Sequence, residues 1–282
     1  ESSSFGWTQT AILTSSNTSS WLAEDFDTGE PLTMTRNGNK IAVAAIRHTL
    51  LNKYGVLYVF NSASSGWNLE TSLTKSSGAI GSSAKFNYGG DKLFSANDGG
   101  GGQGTITVFS SASNGWVQQA NITGSISGSK WTGNSIAINS SSNILVAGAS
   151  RVGVNGVSDV GIVYIFTSSS IGWTQQAYLT GSYAVNSDDY FGYSVDINHS
   201  GNIIAVGAPL DEFNNVGGDG SDKDTGFVYL FNSASNGWQE TAILTGSVGR
   251  IRNNSYFYFP SYGPTKVKLN PAGNKVLASA LY

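Results

Sequence analysis

The stretch Asp211-Glu-Phe-Asn-Asn-Val-Gly-Gly-Asp219-Gly-Ser-Asp222-Lys-Asp224 gathers carboxylates and amides among glycines. Hard oxygen ligands on a pliable backbone suit Ca²⁺, which takes about six to eight oxygens at once. The spacing is not that of an EF-hand, so the expectation is a loop site built from Asp211, Asp219, Asp222 and Asp224. Two further carboxylate pairs, Glu24-Asp25 and Asp188-Asp189, stand just ahead of aromatic-glycine elements. There a carboxylate can accept hydrogen bonds from loop N–H groups, which makes a structural role the expectation. Nucleophilic chemistry has little to draw on, because the chain has no cysteine and two histidines, His48 and His199. His199 falls in a hairpin turn with no acidic neighbour in sequence, and His48 follows a strand beside Arg47. A nucleophile–base pair needs such partners, and the reading is a protein without enzymatic activity. Trp21 and Trp131 present aromatic faces on which a sugar ring could stack, and a carbohydrate-binding role is the alternative reading.

Those residues hang on a repeat. A Gly-Trp pair recurs at Trp7, Trp67, Trp116, Trp173 and Trp238, each followed by Leu or Ile six residues on and Thr at seven. Phe60, Phe109, Phe166 and Phe231 stand seven residues before their tryptophans and end strand-like runs such as Ile162-Val-Tyr-Ile-Phe166. Upstream of each run, an alternating segment and a short turn lead into a small apolar segment, as in Ser194-Val-Asp-Ile-Asn198 and Asn202-Ile-Ile-Ala-Val-Gly-Ala208. Each period thus predicts four antiparallel strands: an inner hairpin A–B, an aromatic strand C and an outer strand D that opens at the tryptophan. Short links exclude parallel crossovers, so radial repetition into a β-propeller is favoured over a parallel solenoid. Because the repeat tryptophans recur with the same apolar partners, packing between blades explains them better than ligand binding does.

In the fourth period, Asp188-Asp189-Tyr190-Phe191-Gly192-Tyr193-Ser194-Val195 with Ile204-Ala-Val-Gly207-Ala208-Pro209 resembles the FG-GAP repeat of integrin α-subunit propellers and related surface proteins. Fragments of the same pattern recur at Phe26-Asp-Thr-Gly29, Trp131-Thr-Gly133 and Tyr262-Gly263. The resemblance implies an integrin-like, extracellular or cell-surface propeller acting in adhesion, structure or protein–protein interaction. Such propellers carry calcium loops in the A–B turn; here those turns are short and nearly uncharged.

The whole of 1–282 therefore reads as a single all-β domain of five blades, with repeats at approximately 15–74, 75–123, 124–180, 181–245, and 246–282 joined by 1–14. The last repeat supplies strands A and B and the N-terminus supplies D, so the closing blade lacks one strand. A fragment of a longer chain, a three-stranded blade and a strand donated by a neighbouring copy all account for that gap; the last would build filaments. A net charge of −3 with no basic stripe argues against nucleic acid, and no apolar run is long enough to insert in a membrane. Partners are therefore expected to be proteins, copies of the chain itself, or glycans. Sequons at Asn17, Asn121, Asn139, Asn198 and Asn253 are the candidate glycosylation sites.

Overall fold

The computed structural model describes residues 2–3, 6–7, 9, 11–13, 32–45, 55–75, 80–97, 104–126, 135–209, 226–245 and 266–279, and among these there is no helix. A short pair comes first, β1 (Ser2–Ser3) with β2 (Gly6–Trp7). Four antiparallel sheets follow, each of four strands in chain order. Blade 1 contains β3 (Leu32–Met34), β4 (Lys40–Ala45), β5 (Val56–Ala63) and β6 (Gly66–Leu73). Blade 2 contains β7 (Ser83–Phe86), β8 (Lys92–Asn97), β9 (Thr105–Ala112) and β10 (Gly115–Ile122). Blade 3 contains β11 (Ser135–Ile138), β12 (Ile144–Ala149), β13 (Ile162–Ser169) and β14 (Gly172–Leu179). Blade 4 contains β15 (Ser194–Ile197), β16 (Ile203–Ala208), β17 (Phe227–Ala234) and β18 (Gly237–Thr245). The fifth blade is represented by the A–B hairpin β19 (Val267–Leu269) and β20 (Val276–Ala278). The A strands β3, β7, β11, β15 and β19 touch one another in that order, as the inner wall of a propeller requires.

The outer strands β6, β10, β14 and β18 carry a bulge at the same place. Strand pairing skips Glu70, Gln119, Gln176 and Thr241, three residues after each tryptophan. A bulge sets two residues against one and reverses the alternation beyond it. As a result Trp173 packs toward blade 2, with its ring edge-on to Phe94 at 5.5 Å, whereas Leu179 of the same strand joins the core shared with blade 4. Trp116 and Ile122 divide likewise between blade 1 and blade 3. The fixed Trp-to-Leu spacing is therefore how one strand binds both neighbours. Leu13 stands in the Leu179 position relative to Trp7 and packs against the outer face of blade 1 with Tyr58 and Phe60. The N-terminal segment thus precedes blade 1 in the ring.

The β1–β2 pair matches the tips of the C–D hairpins. Ser2↔Trp7 and Ser3↔Gly6 reproduce Ser62↔Trp67 and Ala63↔Gly66. The N-terminal pair thus has the register of a C–D hairpin tip where a lone D strand was expected, and it forms a sheet separate from β19–β20.

The Phe-Gly element owes its residue types to close packing. Phe191 is fully buried, with its ring 5.2 Å from that of Tyr229 and 6.1 Å from that of Phe231. Gly192 adopts φ of +89° and lies so near blade 3 that a Cβ on Gly148 would overlap its carbonyl oxygen. The amides of Gly192 and Tyr193 both donate to the Gly207 carbonyl, at 3.1 and 3.2 Å. Side chains larger than hydrogen at these positions would push the blades apart.

Candidate functional site

Two ends and an axis offer themselves as sites. At the end formed by the A–B turns, one device recurs. Asn139 and Asn198 each accept the amide protons of the residues four and five further on through Oδ1, at 2.9 to 3.1 Å. Their Nδ2 atoms donate at 2.8 Å to Asn143 and Asn202. Asn87 and Asn270 make the same clasp with Asp91 and Lys92 and with Asn274 and Lys275. In blade 1 Thr35 takes the place of asparagine. Asn139 and Asn198, expected as sequons, are 2% exposed with the nitrogen that would carry a glycan already bonded. A glycan there has no room in the folded chain. Asn121 is exposed on β10 and accepts from the Thr107 hydroxyl at 3.0 Å, so among the described sequons it is the accessible one.

The opposite end is built differently. In the B–C connection of blade 3, Val154 and Val157 bond each other's backbone around Asn155 (φ +51°) and Gly156 (φ +84°). Positive φ at both central residues is the type I′ hairpin that Asn-Gly favours. Beside it lies the D–A connection leading into blade 4, where the Asp188, Tyr190 and Phe191 amides donate to Ser158, Asp159 and Val160. Asp159, Asp188 and Tyr190 are left-handed, at φ of +54°, +69° and +52°. Non-glycine residues held there are uncommon, and they persist where the surroundings fix them. The Tyr190 hydroxyl donates to Asp188 at 2.8 Å, and the Arg151 guanidinium lies 5.5 Å from the Tyr190 ring. Burial first, then the Asp188 bond and charge, push the Tyr190 phenol up to about 12. Burial also raises Tyr193. Asp189 is 2% exposed and accepts from the Asn186 amide at 2.6 Å, the structural use expected of this pair.

The axis holds a third arrangement. Thr33, Lys85, Ala137, Asp196 and Lys268 are equivalent residues of the A strands, each paired with the same position of its B strand. Their side chains also join adjacent blades: Thr33 accepts from the Phe86 amide at 3.3 Å and Asp196 from the Leu269 amide at 2.8 Å. These bonds satisfy edge N–H groups that face the axis. Lys268 pairs with Asp196 at 3.3 Å. Desolvation, then the charge of Lys268, push the Lys85 ammonium down to about 8.

Trp67, Trp116, Trp173 and Trp238 pack on the apolar cores as expected; the Trp116 Nε1 donates to Glu70 at 2.8 Å across the blade 1–2 boundary. His199 is exposed in its turn, edge-on to Tyr88 at 5.5 Å, and Arg36 lies 4.4 Å from the Tyr88 ring. Asp211, Asp219, Asp222, Asp224, Trp21, Trp131, His48, Glu24, Asp25, Asn17 and Asn253 lie outside the described residues. Among the described residues no three His, Cys, Asp or Glu side chains converge on a possible metal position.

Residues 173–231 match the FG-GAP repeat family. No curated protein matches the chain. Among solved structures it is similar to hydrazine synthase of Kuenenia stuttgartiensis, with a TM-score of 0.55 and 16% identity over 88% of this chain and 60% of that one. It is also similar to the periplasmic gluconolactonase PpgL of Pseudomonas aeruginosa, with a TM-score of 0.57 and 12% identity over 89% and 65%. The chain spans less than two thirds of either. Likenesses at such identity speak for fold alone, since one scaffold serves many chemistries. Blade order, pairing and these matches together make the chain a five-bladed β-propeller that carries an FG-GAP repeat over residues 173–231.

Proposed function

We propose that this propeller is a non-enzymatic interaction module of an extracellular or cell-surface protein, and that it engages a protein partner through the loops joining blades 3 and 4. One observation carries the reading: Arg151, Asp159, Asp188 and Tyr190 are clustered at the loop end on a backbone bonded in left-handed conformations. A rigid scaffold with polar and aromatic groups on fixed loops loses little entropy on binding. The test compares cell-surface proteins retained by the immobilised propeller, by an Arg151→Ala/Tyr190→Ala double variant and by a Tyr88→Ala variant at the opposite end. The reading expects a partner retained by the first and third and lost by the second. Equal retention by all three contradicts it. Glycan-array binding abolished by changing Trp21 or Trp131 would establish the lectin alternative in its place.

Self-assembly through the closing blade is a second reading, favoured by β20. Leu277 is 71% exposed, whereas Ala42, Phe94, Val146 and Ala205 at the same position of the other B strands are 0% exposed. Among the described residues β20 pairs with β19 alone, and a sheet edge without a neighbour is a template for an added strand. Sedimentation that grows with concentration and is abolished by Leu277→Lys supports this; concentration-independent sedimentation rejects it.

A further inference from the structure

Three of the chain's lysines meet at the propeller axis with one carboxylate between them. Lys85 of blade 2 and Lys268 of blade 5 hold equivalent positions of their A strands, the charges of Lys268 and Lys266 act on Lys85, and Asp196 is the one acid among the five equivalent residues. Asp196 is already committed, holding Lys268 at 3.3 Å and the Leu269 amide at 2.8 Å. Among the described residues, three positive charges less one negative leave a surplus of two. Adjacent ammonium groups in a partly desolvated place repel, and an anion between them turns that repulsion into attraction.

The register of the inner strands puts these side chains in one place: Lys85 and Lys268 hold the same A-strand position as Asp196, each opposite the same residue of its B strand. Ser194, two residues before Asp196, is buried over Gly207 and beside Val267 at the boundary of blades 4 and 5 and takes no part in this cluster. At the turn end, Arg36, Tyr88 and His199 meet across the ring. Lys266 is exposed at the loop end, where the A strands begin.

We propose that the axis of this propeller binds a small divalent oxyanion, a phosphate or sulfate group, between the Lys85 and Lys268 ammonium groups, with Lys266 at the entrance. Charge selects it, since a dianion balances the surplus left beside Asp196. The site is independent of the loop surface of blades 3 and 4, and its failure would leave that reading untouched.

Calorimetric titration of the whole chain tests the proposal, using sulfate, inorganic phosphate and a monosulfated galactose at constant ionic strength made up with chloride. Wild type should bind at least one of the three, and each of Lys85→Met and Lys268→Met should weaken that binding by about tenfold, the worth of one charge-assisted bond. Asp196→Asn, which removes the competing carboxylate, should tighten it. Preference for the free ions or for the sugar ester identifies the natural source. If Lys85→Met does not fold, Lys268→Met decides alone, because that side chain is 49% exposed. The absence of binding by all three probes, or binding unchanged in the folded lysine variants, overturns the proposal.

Discussion

The two ends of the propeller solve the same problem, satisfying backbone groups where strands turn, in opposite ways. At the turn end the solution is uniform: Asn87, Asn139, Asn198 and Asn270 repeat one clasp, and Thr35 substitutes for them in blade 1. At the loop end, between blades 3 and 4, the bonds run within and between two connections, and they hold Asn155, Asp159, Asp188 and Tyr190 in left-handed backbone. Uniformity at the turn end marks what each blade needs in order to fold. Left-handed non-glycine positions such as those of the loop end cluster at functional surfaces.

The sharpest way to break the comparison lies between the two ends, where the blades touch. Gly148→Ala places a Cβ against the Gly192 carbonyl, a backbone atom that has nowhere to move. It should cost about 3 kcal/mol or more in urea unfolding, as overpacking of a rigid core does. Asn198→Ala comes next. It leaves the Asn202 and Ile203 amides without their acceptor and should cost about 2–4 kcal/mol. Arg151→Ala at the other end should cost less than about 1 kcal/mol, as exposed substitutions do. Equal losses for Asn198→Ala and Arg151→Ala would erase the distinction.

A titration sharpens the account of the axis. Lys85 has its folded value lowered to about 8 from 10.5, so between those values the unfolded chain holds a proton that the folded one has released. Stability rises with pH wherever the unfolded state binds more protons. Urea unfolding of wild type should therefore show a gain across that window relative to Lys85→Met, which has no ammonium to lose. Parallel curves would contradict the burial of this charge. The smallest effect is expected at Ser142, whose φ of +59° falls where the other turns use Gly38, Gly90, Gly201 and Gly273. Ser142→Gly relieves that strain but removes the hydroxyl that Asn87 Nδ2 contacts at 3.2 Å, so the net gain in melting experiments should stay below about 1 kcal/mol.

Much of this architecture is legible in the chain. The tryptophan period, the aromatic C strands and the A–B hairpins follow from alternation and turn residues alone. The outer-strand bulge does not, because Glu70, Gln119, Gln176 and Thr241 share no residue type, and a strict two-residue period puts Trp and Leu on one face. Asn139 and Asn198 read as sequons because a buried clasp and a glycan acceptor use the same side chain. The signal that separates them is Asn or Asp four residues on, at Asp91, Asn143, Asn202 and Asn274, and it recurs in sequons and non-sequons alike. Lys85 lies far in sequence from Lys266 and Lys268, and the three become a cluster only when the A strands are aligned. Of the left-handed residues, Asn155-Gly156 alone carries a recognisable turn pair.

Amide hydrogen exchange on the native protein tests most directly the claim that one end secures the fold while the other is set on top of it. The Ile144, Ile203 and Lys275 amides, each held by an asparagine Oδ1, should exchange only through global unfolding, at the free energy that urea denaturation gives. The Val154 and Val157 amides, bonded only within their own small hairpin, should exchange through local opening at distinctly lower free energy. Equal protection of the two sets, or faster exchange at the asparagine clasps, would contradict the account.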